Sequence, residues 1–274
     1  MKSYSHVAQK LFNEPLLITP QRHSALCNLL EMKMAAINDP IRAQNKADRM
    51  DDDEPDTSLT QMGKTVIIPV HGTLVMYPED IAMSECGCAM EDLNAMIDVA
   101  ENDASVSTVI YDFRTPGGTV TGIPETGRKI LNSSKQTIAF TASECCSGGI
   151  WLASQCQRFY ATQSSRVGSV GVYCMMLDYT KALKKDGVKI NAISAGKFKL
   201  LGAYWKELSD EERSIKQADV DKIYTQFKEA MESFRMVSDD NFGNGLVFDG
   251  EKAAEVGFTD GVVEDMEEIL DGMV

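Results

Sequence analysis

The chain has 274 residues, 43% hydrophobic and 25% charged, enough for a buried core in one large domain with an arm or in two small domains. A formal charge of −14 offers no basic face for nucleic acid, and no apolar run approaches the ~18–20 residues that span a bilayer. Seven irregularly spaced cysteines make no disulfide framework and point to a reducing compartment.

Residues 1–42 read as an N-terminal arm. The first twenty, "MKSYSHVAQKLFNEPLLITP", lack the continuous apolar stretch of a signal peptide. "FNEPLLITP" is extended or turned between Pro15 and Pro20, and Ala25, Leu29, Met32 and Ala36 recur at helical spacing, which predicts a helix over about 21–37. Residues 43–64 carry an acidic cluster at Asp51–Glu54 and almost no large apolar side chains. Such a stretch buries too little surface to offset its ordering entropy and is expected to be a mobile linker.

From Thr65 to Val274 the pattern changes to one domain of strands alternating with helices. "TVIIPVHGTLV" reads as strand, "MEDLNAMIDVAEND" as an amphipathic helix and "VSTVIYDF" as a buried strand. A helix "IPETGRKILNS" leads to the strand "QTIAFTA"; beyond it, "YTKALKKDG" reads as helix and "VKINAISAG" as strand. Ser209 and Glu212 have capping-box spacing at the head of a long helix whose Ile215, Ile223, Phe227, Met231 and Phe234 share an apolar face. The expected class is α/β, with a mainly parallel sheet flanked by helices.

Two glycine-rich turns follow strands: "TPGG", Thr115–Gly118, and "SGG", Ser147–Gly149. Glycine pairs there let the backbone turn sharply and aim N–H groups at a ligand. A serine at a helix start has the logic of a nucleophile elbow, although G-x-S-x-G itself is absent. Cys145 and Cys146 stand directly before Ser147 and are rival nucleophiles on sequence grounds. Of the three histidines, His6 and His23 lie in the arm, which leaves His71 in "PVHGTL" as the one candidate imidazole base. Cys86 and Cys88 lack paired C-x2-C spacing, so the cysteines read as buried small hydrophobes, with no metal and no cofactor expected.

"TPGG", "SGGIWLAS", "VGSVGV" and "SAGKFKLLG" follow in order, each at a strand–loop boundary. Across roughly residues 65–263 this series resembles the S49 peptidases, the signal-peptide-peptidase-A family built on the ClpP/crotonase fold. The resemblance implies a Ser-Lys dyad, with Ser147 as nucleophile and Lys199 of "GKFK" as general base. It further implies that Ser169 in "VGSVGV" orients the lysine and that backbone N–H groups of Gly117, Gly118 and Gly148 bind the oxyanion. The arm is similar to that of the phage capsid-assembly branch, the lambda protease C type. That implies an endopeptidase with capsid, scaffold and portal proteins as substrates or assembly partners, working as a homo-oligomeric ring in the host cytoplasm inside the procapsid. The acidic linker at 43–64 is the expected self-cleavage region, since proteolysis concentrates in mobile segments. The rival readings are a bacterial signal peptide peptidase and an inactive scaffold protein of the same fold.

A serine hydroxyl needs an adjacent base, and a lysine serves only when its pKa falls from ~10.4 toward neutrality. Burial does this by penalising the charged form, and Phe198, Leu200 and Leu201 flank Lys199. Strand alternation puts Lys197 on the same face as Lys199, so periodicity does not separate them; only the family pattern selects Lys199.

Overall fold

The computed structural model of the chain describes residues 10–37, 59–83, 87–235, 237 and 242–272. Strand β1 (Pro15–Ile18) leads through Thr19 into helix α1 (Pro20–Ile37), with Pro20 at the first helical position, where its fixed φ suits the helix and its missing N–H costs nothing. Then come β2 (Thr60–Met62), β3 (Thr65–His71), β4 (Thr73–Val75), β5 (Gly87–Ala89), α2 (Met90–Asn102), β6 (Thr108–Arg114), β7 (Gly117–Thr119) and α3 (Ile123–Leu131). The middle of the chain forms β8 (Gln136–Thr141), β9 (Glu144–Cys146), α4 (Gly148–Ser154), β10 (Arg158–Ala161), β11 (Arg166–Gly168), β12 (Tyr173–Cys174) and α5 (Thr180–Lys185). The last elements are α6 (Asp210–Glu232), β13 (Val247–Phe248), α7 (Gly250–Glu255), β14 (Gly261–Val262) and α8 (Met266–Asp271).

The main sheet has the order β14-β10-β8-β6-β3-β2 and is parallel throughout except at its β2 edge. Parallel strands need crossover connections, and α2, α3 and α4 supply them. β6 shows the alternation that sets the two faces. Val109, Tyr111 and Phe113 enter the large core with Leu93, Ile130, Trp151 and Phe227 from the helices. Ile110 faces the other way, onto Ile138, Phe140 and Ile269 of α8. Trp151 of α4 stacks on Phe227 of α6 at 4.8 Å between ring centroids, which docks the long helix. Its capping box is formed as expected, with Ser209 and Glu212 each accepting from the other's backbone N–H.

Three parts of the chain differ from expectation. The stretch "FNEPLLITP" is not peripheral: β1 lies inside a second sheet, β12-β1-β7-β4-β5, with Leu16, Leu17 and Ile18 buried. Thr60–Met62 fall within the predicted linker 43–64 but form the hairpin partner of β3 across Gly63, whose φ is 61°. All three of those side chains are exposed, so no apolar pattern announces the strand. Residues 43–58 lie outside the described residues. Finally, "VKINAISAG" is not a strand; residues 186–199 run exposed between α5 and α6 and pair with no strand among the described residues.

Candidate active site

β9 ends at Cys146, held between β11 on one side and Thr115 on the other. Thr115 N–H donates to Glu144 O at 2.7 Å, and Cys146 N–H donates to Thr115 O at 3.0 Å. Ser147 then donates its N–H to Gly168 O at 2.8 Å, and α4 begins at the next residue. To turn from strand to helix in one step, Ser147 adopts φ 53°, ψ −116°. That conformation costs a side-chain-bearing residue of order 1–3 kcal/mol, and such strain is characteristic of active sites. Among the described residues, Asn13, Ser147 and Ser169 are the non-glycines with positive φ. Two of the three are the serines selected from the sequence.

The two glycine turns meet at this point. A Cβ on Gly117, whose φ is 93°, would lie 2.9 Å from both the Ser147 Cβ and the Gly148 N. A Cβ on Gly149 would collide with Thr115 Cγ2 at 2.4 Å, so the helix start can approach the "TPGG" turn only because it carries no side chain there. The predicted oxyanion donors are not equivalent. Gly117 N–H donates to Thr115 Oγ1 at 3.1 Å and is already engaged. Gly148 N–H opens α4, where first-turn donors have no intrahelical acceptor. Gly118 lies on β7 beside it. Ser169 follows Gly168 directly and is 8% exposed, pinned by its N–H to Leu246 O at 2.6 Å.

The lysines lie in an exposed turn, whereas Ser147 is buried. Lys199 sits in an exposed turn, its N–H bonded to Gly196 O at 3.2 Å, so the burial expected from Phe198, Leu200 and Leu201 is not provided within one chain. Lys197 pairs with Glu211 at 2.5 Å and lies over the Phe198 ring. The rival nucleophiles are disfavoured by their surroundings. Burial pushes the Cys145 thiol far up and the Cys146 thiol up to about 12, with Glu144 adding to the second. Thiolate, the reactive form, is therefore scarce at both. His71 is tied to Asp112 at 2.8 Å, beside the Arg114–Asp112 pair, in a structural arrangement.

Sequence reasoning missed Thr115 as an individual. It is fully buried, and its hydroxyl donates to Gly72 O at 2.6 Å while accepting from Gly117 N–H, so it joins the ends of β3, β6 and β9. Its position immediately before "PGG" was the available signal.

The model of Peptidase family S49 matches residues 129–271, just over half of the chain, and the match contains Ser147, Ser169 and Lys199. The chain belongs to peptidase family S49. Among relatives of the chain, capsid assembly protease C of Escherichia phage lambda is 28% identical over 98% of this chain and 65% of its own length. A head-tail preconnector protein of Enterobacteria phage P21 is 28% identical over 96% of this chain and 56% of its own. The chain thus spans only about three fifths of these two relatives. Protease 4 of Haemophilus influenzae is 24% identical over 72% of the chain. An enoyl-CoA hydratase/isomerase from Marinobacter aquaeolei superposes with a TM-score of 0.44 at 15% identity, covering 79% of this chain and 73% of that one. The architecture is mixed α/β, with helices flanking the sheets, as expected from the sequence. Among the described residues, no helix is long and apolar enough to cross a membrane.

Proposed function

We propose that the chain is a serine endopeptidase that processes capsid, scaffold and portal proteins inside the procapsid, in the host cytoplasm. The observation that carries this reading is the strained Ser147, set at a helix start between two glycine turns. Its Oγ attacks the scissile carbonyl, and the developing oxyanion is met by the N–H groups of Gly148 and Gly118, with Gly117 shaping the turn. Lys199 takes the serine proton and returns it to the leaving amine, and Ser169 orients the lysine. Water then hydrolyses the acyl-enzyme.

Lys199 reaches Ser147 when copies of the chain assemble into a ring. What supports this is the exposed stretch that carries it, where Val188, Ile190, Ile193 and Phe198 leave apolar side chains in water and Ile193 is 101% exposed. The phage branch is favoured over a signal peptide peptidase because the two phage relatives align over the arm as well as the domain.

Incubating Ser147→Ala and Lys199→Ala with cognate capsid and scaffold proteins tests the dyad. Both are expected to lose cleavage by at least ~10^3-fold while Lys197→Ala and Cys146→Ala retain it. Cleavage that survives Ser147→Ala overturns the reading. Self-cleavage within 43–64 belongs to the same proposal and is read from intact mass during storage.

A further inference from the structure

Ser147 is 1% exposed, although its substrate would be a polypeptide. A peptide delivered to it must lie extended, with one carbonyl beside Gly117 and Gly148. That place is taken by the chain's own β1. Its residues pair antiparallel on one side with β7, Leu17 opposite Gly118 and Ile18 opposite Gly117. On the other side they pair antiparallel with β12, just beyond Ser169, Leu16 opposite Tyr173 and Pro15 opposite Cys174. The Leu17 carbonyl oxygen would lie 2.0 Å from a Cβ on Gly117 and 3.3 Å from one on Gly148, so it occupies the junction of the two glycine turns that flank Ser147.

We propose that Pro15–Ile18 are a tethered occupant of the peptide slot, and that a substrate strand enters only by displacing them. This rests on the peptidase reading of Ser147. β1 alternates as a bound peptide would: Leu17 enters the main core, while Leu16 and Ile18 face the arm's own cluster of Leu11, Leu26 and Leu30. The peptide that replaces it is extended, with a leucine-sized apolar residue at the carbonyl beside Ser147. The occupant is clasped from both ends. Asn13 N–H donates to Met175 O at 2.8 Å, Lys216 donates to Asn13 O at 3.0 Å, and the Tyr173 hydroxyl donates to His23 Nδ1 at 2.8 Å. With Lys199 exposed in its turn, the strand sits in the slot uncut.

The register supplies a test in the full chain. Pro15→Cys places a thiol directly opposite the free Cys174. Under mild oxidation the two should join within one chain, and the pinned protein should cleave scaffold protein or a leucine-containing fluorogenic peptide more slowly by about tenfold or more. Reduction should restore the rate, and wild type should be indifferent to the oxidant. Failure of the disulfide to form, unchanged cleavage by the pinned protein, or truncation after Leu17 in the reduced protein would each overturn the proposal. Running the series beside Ser147→Ala separates the two ideas. Cleavage that depends on Ser147 but ignores the pin sinks the occupant alone, whereas cleavage independent of Ser147 sinks the peptidase reading and the occupant with it.

Discussion

At the scale of single residues, the site is organised by Thr115 as much as by Ser147. Replacing Thr115 with valine keeps its shape but removes the hydroxyl that bridges Gly72 O and Gly117 N–H. Leaving those two buried groups unpaired is expected to cost ~1–3 kcal/mol, read as a lower urea midpoint at unchanged m-value. The same variant should lower kcat more than it raises KM, because the turn that carries Gly118 loses its anchor. Ser147 itself was legible as the serine of "SGG". Its strain was not, because φ 53° follows from two fixed partners, Gly168 O before it and the α4 axis after it.

At the scale of elements, the arm's docking depends on His23, which is buried between Leu11 O and the Tyr173 hydroxyl. Nε2 donates to Leu11 O, so Nδ1 must be unprotonated to accept from Tyr173, whose own ionisation burial pushes well up. Burial lowers the His23 pKa below its usual 6.5, partly offset by the bond to Leu11. The folded arm thus binds fewer protons than the unfolded one. The stabilisation is complete above pH ~6.5 and is lost as the pH falls from there through the lowered folded value. Hydrogen exchange at β1 and α1 should be faster, relative to β6 and β8, at pH 5.5 than at pH 7.5. His23→Gln, which keeps a donor and an acceptor, should flatten that difference. α1 was readable from its spacing and Pro20, whereas β1 was visible only as "extended or turned", since its partners β7 and β12 lie about a hundred and more residues away in sequence.

At the scale of the whole molecule, the proposed assembly turns on the exposed stretch at residues 186–199. Ile193→Lys, at a fully exposed position outside the site cluster, should leave the melting temperature within ~2–4 °C of wild type. It should nevertheless shift the assembly to smaller species by light scattering and reduce cleavage in parallel. An unchanged ring with full activity would mean that copies meet elsewhere. The strand predicted there from "VKINAISAG" shows the limit of pattern reading: alternation marks a chain able to form a strand, but the strand exists only where another backbone receives its N–H and C=O groups.

The sequence by itself determined the α/β class, the parallel core of β3, β6 and β8, the capped helix α6 and the turns around Ser147. These follow from local chemistry: continuous apolar runs, a Ser-x-x-Glu spacing, and glycines where the backbone must bend. Tertiary structure alone decided that β1 lies between β7 and β12 against the serine, that Thr115 joins the two turns, that burial pushes both cysteine thiols up, and that Lys199 lies in an exposed turn. Each of these depends on which distant segments share a surface, and burial, pairing and ionisation are properties of that shared surface rather than of any residue type.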